Sequence, residues 1–146
     1  MYFEDLNVGS KQTLGTVSVS KEEIISFAEK YDPQPFHIDE KAASDSPYGS
    51  VIASGWHTAA LCMRILVDEF LSDIYAQGAL GVDELRWPHP VRPGDTLTVK
   101  NEIVKKRPSE SDSSRGIVHS KTTAVNQESK QVLSWIGLVL VRRRNA

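Results

Sequence analysis

A carboxylate and an imidazole lie five positions apart in the stretch Asp32-Pro33-Gln34-Pro35-Phe36-His37-Ile38-Asp39. Brought to one spot, side chains of these two types can pass protons to and from a substrate or a water, which is general acid–base chemistry. Local secondary structure gives no reason for them to meet. Pro33 and Pro35 each remove an amide donor and push the preceding residue toward extended backbone, so no helix is expected across the segment. Read from the residues alone, the stretch fits two uses. One is a proton-transfer pair held in a stiffened loop. The other is a helix-ending turn at Asp32 followed by a histidine satisfied within a loop. Asp39 reads as a helix N-cap rather than as a catalyst.

Other chemistry-bearing residues point more weakly. His57, His89 and His119 show no spacing typical of a metal site. The single cysteine, Cys62, excludes an intrachain disulfide and sits where a small buried hydrophobe is usual. With 146 residues the chain predicts one domain over 1–146. Composition is ordinary for a globular protein, with 40% hydrophobic and 25% charged residues. A net charge of −2 gives no overall pull toward nucleic acid or anionic membranes. The N-terminal residues show no secretory pattern, and no apolar run reaches the roughly 18 residues of a membrane span. A cytoplasmic protein is the expectation.

The elements that must position the pair follow from local pattern. Lys11–Ser20 alternates with β-branched residues and predicts a strand. Ser20-Lys21-Glu22-Glu23 is a capping box, and Ile24, Ile25, Phe27 and Ala28 follow at helical spacing. Asp32-Pro33 should stop that helix. Asp39 should open a short helix over Glu40–Asp45. Ser54–Tyr75 is the longest helical pattern, with Ser54 as N-cap and apolar residues around most of its circumference, which predicts a largely buried helix. Four strands are expected after it: Ala79–Trp87, Thr96–Arg107, Ile117–Val125 and Gln131–Val141. The last is apolar on both faces, as a strand covered on each side would be, and suggests burial of an edge or face against a second chain. One apolar helix across an antiparallel sheet is an α+β arrangement.

Asp32, Pro35, His37 and Asp39, followed by Ile52-Ala53-Ser54-Gly55 and by Arg86–Leu97 with its Pro-Val-x-x-Gly-Asp turn, resemble the MaoC-like dehydratase family, which includes the (R)-specific enoyl-CoA hydratases. The likeness covers almost the whole chain. It implies a hot-dog fold, an antiparallel sheet wrapped around a long central helix. It also implies homodimers or higher homo-oligomers joined edge to edge, with acyl-CoA thioester sites at the subunit interface. The family pattern, Asp-x-Asn-Pro-x-His-x-Asp, has Asn where this chain has Gln34, a change that bears on substrate choice more than on reaction class.

Carried onto these residues, the resemblance implies hydration of a trans-2-enoyl-CoA to an (R)-3-hydroxyacyl-CoA. Asp32 would activate water and His37 would deliver the α-proton. Gly55 would supply the oxyanion donor, because first-turn amides lack intrahelical partners and glycine admits a close oxygen. Gln34, Ser54 and Trp56 are the candidate substrate-contacting residues, although Trp56 and Met63 also fit core or interface positions. No metal or organic cofactor is expected beyond the coenzyme A of the substrate. Arg142–Arg144 would either meet coenzyme A phosphates across a dimer or form a solvated end. Two other functions remain in view. One is an acyl-CoA thioesterase, whose carboxylate would be Asp68 or Glu69, far down the helix. The other is a non-catalytic acyl-thioester-binding subunit. No Pro or Gly interrupts the long helix after Gly55, which favours short or medium acyl groups.

Overall fold

The computed structural model describes residues 1–145. The chain opens with a 3-10 turn, Phe3–Asp5, and then runs through β1 (Lys11–Ser18), α1 (Lys21–Tyr31), α2 (Pro35–Ile38), α3 (Glu40–Ser44) and α4 (Gly55–Glu69). A second 3-10 turn, Leu71–Asp73, leads to β2 (Ala76–Arg86), β3 (Thr96–Pro108), β4 (Arg115–Val125) and β5 (Gln131–Arg142). The strands form one antiparallel sheet in the order β1-β3-β4-β5-β2. Cys62 and Leu66 of α4 share the core with Leu97 and Val99 of β3, Val118 of β4 and Trp135 and Val139 of β5. This is the α+β hot-dog fold that the sequence implies.

Local signals hold where they rest on capping. Ser20 Oγ accepts from the Glu23 amide at 3.2 Å, and Glu23 Oε1 accepts from the Ser20 amide at 3.3 Å. α1 then buries Ile24 and Ala28 completely. Asp39 Oδ1 caps α3 by accepting from the Lys41 and Ala42 amides at 2.9 and 3.2 Å.

Three expectations are corrected. The long helix ends at Glu69 rather than near Tyr75. Phe70 leaves helical backbone at φ −135° with its side chain buried, and the Tyr75 amide bonds the Met1 carbonyl at 2.9 Å, drawing the chain into β2. The helix is also not largely buried. Trp56, Met63 and Val67 are all exposed, and with Ala60 they lie at helical spacing along one stripe. Finally, the doubly apolar last strand does not bury an edge against a second chain, because both its edges pair within the sheet, with β4 and with β2. β2 is the free edge on that side.

The basic tail is tied down within the chain: Arg143 Nε meets Glu4 Oε2 at 3.1 Å, and Arg144 pairs with Asp5. Burial pushes the Cys62 thiol up to about 12, so it remains a protonated core group. Among the described residues no helix is long and apolar enough to cross a membrane.

Candidate active site

Pro33 excludes helical backbone for the residue before it, so α1 stops with Asp32 as its C-cap, the Asp32 amide bonding Ala28 O at 2.8 Å. The Gln34 amide then bonds the Asp32 carbonyl at 2.8 Å in a tight turn. The segment beyond departs from expectation. Pro35–Ile38 is a single helical turn, with the Asp39 amide bonded to the Pro35 carbonyl at 2.9 Å. Proline is compatible with helix at its first position, where no amide donor is needed. That turn swings His37 back over Asp32.

His37 is 5% exposed. Its Nδ1 donates to the Ile52 carbonyl at 2.7 Å, because a carbonyl can only accept. This fixes the ring and turns Nε2 toward Asp32 Oδ2, 3.4 Å away. The gap exceeds a good direct hydrogen bond and leaves the facing atoms open to a third group.

Asp32 is held from two sides. Ser54 Oγ donates to Oδ2 at 2.6 Å, and Gln34 Nε2 donates to Oδ1 at 2.6 Å. The Ser54 hydrogen bond, more than any other contact, holds the Asp32 carboxyl below its ordinary range; partial burial works against it, and Gln34 and His37 add to the lowering. Ser54 is fully buried, and besides binding Asp32 it accepts from the Trp56 amide at 3.3 Å. Its side chain therefore faces Asp32 and the start of α4, while Gln34 reaches the cleft and Asp32 together.

A testable consequence concerns Ser54→Ala. Asp32 has a depressed folded-state value, so its contribution to stability is present above the unfolded value and is lost as pH falls through the folded one. Without Ser54, Asp32 should titrate at higher pH, moving back toward the ordinary carboxylate range. Carboxyl carbon chemical shifts followed against pH would read this directly. Loss of the α4 cap should also cost about 1 kcal/mol of stability. An unmoved Asp32 titration would remove Ser54 from the site.

Asp32 and His37 open on a cleft of about 460 Å3 that also takes in Gln34, Gly55, Trp56 and Trp87. Gly55 is the first residue of α4, where amides have no intrahelical acceptor and the dipole is positive. A Cβ at Gly55 would lie 2.4 Å from two atoms of the Trp87 ring. Trp56, 57% exposed, meets Trp87 edge to face with centroids 5.1 Å apart. The whole segment Trp87–Val91, read in the sequence only as a strand end and turn, forms one wall. His89 on that wall is fixed by Nδ1 donating to the Gln131 carbonyl at 2.9 Å. The sequence marks this segment only by its likeness to the family's strand and Pro-Val-x-x-Gly-Asp turn; that it walls the cleft depends on what the turn faces.

His57 is not part of this cleft. It stacks on Phe27 with centroids 4.7 Å apart, and burial pushes its imidazole down, toward the neutral form. Asp68 and Glu69 lie outside the cleft as well, about 20 Å along α4 from Gly55 at the rise of a helix. Among the described residues no three His, Cys, Asp or Glu side chains gather as a metal site.

Comparison with known proteins places this geometry in context. Residues 7–126 match the family model described as MaoC like domain. The 3-hydroxybutyryl-CoA dehydratase of Methylorubrum extorquens is 34% identical over 110 residues, which are 74% of this chain and 67% of that protein. The crystal structure of a MaoC-like dehydratase from Rhodospirillum rubrum aligns with a TM-score of 0.91 at 41% identity, covering 100% of this chain and 99% of the other. The unliganded R-hydratase PhaJ1 from Pseudomonas aeruginosa aligns with a TM-score of 0.78 at 27% identity, covering 98% of this chain and 86% of that one.

Proposed function

The chain belongs to the MaoC-like family, and on that premise we propose that it is a hydro-lyase that reversibly adds water across the double bond of a trans-2-enoyl-CoA, giving an (R)-3-hydroxyacyl-CoA. The observation that carries this reading is the pairing of Asp32 Oδ2 with His37 Nε2 at 3.4 Å, on the same cleft as the first amide of α4. The names of similar proteins support the thioester class: one relative is a 3-hydroxybutyryl-CoA dehydratase, and a mesaconyl-CoA hydratase is 38% identical over 66 residues.

The proposed cycle starts from an Asp32 carboxylate beside a doubly protonated His37. The thioester oxygen accepts from the Gly55 amide, where the helix end favours the charge that develops on it. A water bridges the two side chains from the cleft side, within hydrogen-bond reach of both. Asp32 takes a proton from the water as its oxygen bonds C3. The electron pair of the double bond moves toward the thioester, and His37 Nε2–H delivers a proton to C2. Asp32 is then protonated and His37 is neutral, in the Nδ1–H form that the Ile52 carbonyl favours. The proton returns from Asp32 to Nε2, a transfer helped by the low affinity of Asp32 for it. Dehydration runs the same steps backward. Protein groups, water and the thioester supply every step, with no metal or organic cofactor in the scheme.

The active form carries one proton shared by the pair. Rate against pH should therefore be bell-shaped, with limbs that belong to the pair rather than to either residue. Its acid limb should fall below the ordinary carboxylate range, because Asp32 is held low.

A second copy of the chain is the proposed partner. The free β2 edge exposes Leu80 and Val82, and the exposed face of α4 carries Trp56, Met63 and Val67. Unpaired edges and apolar patches of this kind call for cover. Sedimentation should give at least twice the chain mass, and a monomer at all concentrations would defeat this part of the reading.

The test of function is loss of the conjugated enoyl-thioester absorbance with crotonyl-CoA and a panel of longer and branched enoyl-CoAs. Hydration of at least one member supports the assignment. No turnover across the panel, with free thiol released from saturated acyl-CoA instead, would replace it with a thioesterase.

A further inference from the structure

We propose that Trp87 is a specificity-determining residue that excludes branching at the carbon next to the thioester; this rests on the hydratase reading above. Three observations lead there. The Trp87 ring occupies the place of the missing side chain of Gly55, with three ring atoms 2.4 to 2.7 Å from where a Cβ would stand. The indole therefore lies against the backbone carbon adjoining the proposed oxyanion donor. The same ring lines the cleft beside Asp32 and His37.

The ring is also held in place. Glu84 adopts φ 54°, and the pairing of β2 with β5 shifts register between Asp83 and Arg86. Such a bulge bends a strand and re-aims the side chains beyond it. Pro88 and Pro90 then restrict the chain that carries the ring. Trp56, next to Gly55 in the chain, also meets the indole edge to face, at an interplanar angle of 80°.

The chemical consequence follows from reach. A thioester oxygen about 3 Å from the Gly55 amide brings its carbonyl carbon and C2 up to the same backbone. The indole already fills the space on one side of that position. A hydrogen at C2 passes the ring, whereas a methyl group at C2 meets it. The constraint acts beside the carbonyl and is distinct from any limit on chain length.

The experiment compares kcat/KM for crotonyl-CoA and for its 2-methyl analogue, tiglyl-CoA, in wild type, Trp87→Phe and Trp87→Ala. Wild type should prefer the unbranched substrate by about 10-fold or more, the scale on which a shaped pocket senses one methyl group. The ratio should narrow in the phenylalanine variant and narrow further in the alanine variant. Intrinsic reactivity and general losses of activity cancel when ratios are compared across variants. A ratio unchanged in Trp87→Ala, or equal use of both substrates by wild type, overturns the proposal. If Trp87→Ala does not fold, an unchanged ratio in Trp87→Phe overturns it equally. If wild type hydrates neither substrate, it is the hydratase reading that fails. Calorimetric affinities for butyryl-CoA and 2-methylbutyryl-CoA then decide the role of Trp87. A preference for the unbranched ligand that Trp87→Ala erases sustains that role, and its persistence or absence ends it.

Discussion

Asp32→Asn should lower enoyl-CoA hydration by about 10²- to 10⁴-fold, the range that a positioned acid or base commands, while leaving the fold in place. Asparagine keeps the shape, and its carbonyl oxygen can still accept from Ser54, which bonds Asp32 Oδ2 at 2.6 Å. It cannot take a proton from water. Its amide group would face Gln34, whose exposed side-chain amide can turn to present Oε1 as the acceptor, so the contact survives. His37→Asn should cause a comparable loss, since asparagine places its amide where Nδ1 stands and can still donate to the Ile52 carbonyl, yet cannot cycle a proton. The double variant should lose little more than either single one, because the two residues act as one unit. Rates come from the absorbance assay, with circular dichroism to confirm folding. KM should move far less than kcat. Losses that simply multiply in the double variant, or a single variant that turns over at the wild-type rate, would dismantle the proposed dyad.

The second large effect is expected at Gly55→Ala. Helix propensity alone favours alanine, by up to about 1 kcal/mol. The site reverses that preference, because the new methyl group would stand 2.4 Å from two atoms of the Trp87 ring. Something must move, and overpacking of this kind costs about 1–3 kcal/mol. Trp87 is 41% exposed, so outward displacement of the ring, against the Trp56 contact that holds it, relieves part of that cost. Activity should not be spared. Disturbing an oxyanion donor costs about 10²- to 10³-fold in kcat, and the methyl group would displace the indole that walls the cleft beside the amide the thioester oxygen must reach. Indole emission should shift as Trp87 turns toward water. Removing the ring as well, in Gly55→Ala with Trp87→Ala, separates the two causes. Recovery of kcat would assign the loss to the displaced indole, and no recovery would assign it to the methyl group at the amide. Wild-type kcat in Gly55→Ala would remove this amide from the mechanism.

Both predictions turn on residues that the sequence marks, but through contacts that it does not. Asp32, His37 and Gly55 stand out because a carboxylate, an imidazole and a helix-start glycine occur in a recognisable order. The distances among them come from elsewhere. The ring of His37 is fixed by the carbonyl of Ile52, and the carboxyl of Asp32 is gripped by Ser54, 22 positions away. Gln34 and Ser54, the candidate substrate-contacting residues, both hydrogen-bond to Asp32, and Gln34 also lines the cleft. The helical turn at Pro35–Ile38 escaped sequence reading because proline is weighed as a breaker, although its effect reverses at a first helical position.

What the sequence determined by itself is the set of local commitments. Ser20 and Glu23 start α1 and Asp39 starts α3, through bonds spanning three residues or fewer, and Pro33 ends α1 by its ring. Alternating residues commit β3 and β4 to strands, and the motif residues commit the chain to its family. Tertiary structure alone decided which segments face each other. It left β2 rather than β5 as the free edge, exposed one stripe of α4, ended that helix at Phe70, and laid the ring of Trp87 on Gly55. The physical reason is range. Caps, turns and strand patterns are satisfied by neighbours in the chain, whereas the gap between an acid and an imidazole, or between an indole and a glycine, is set by packing across the whole core.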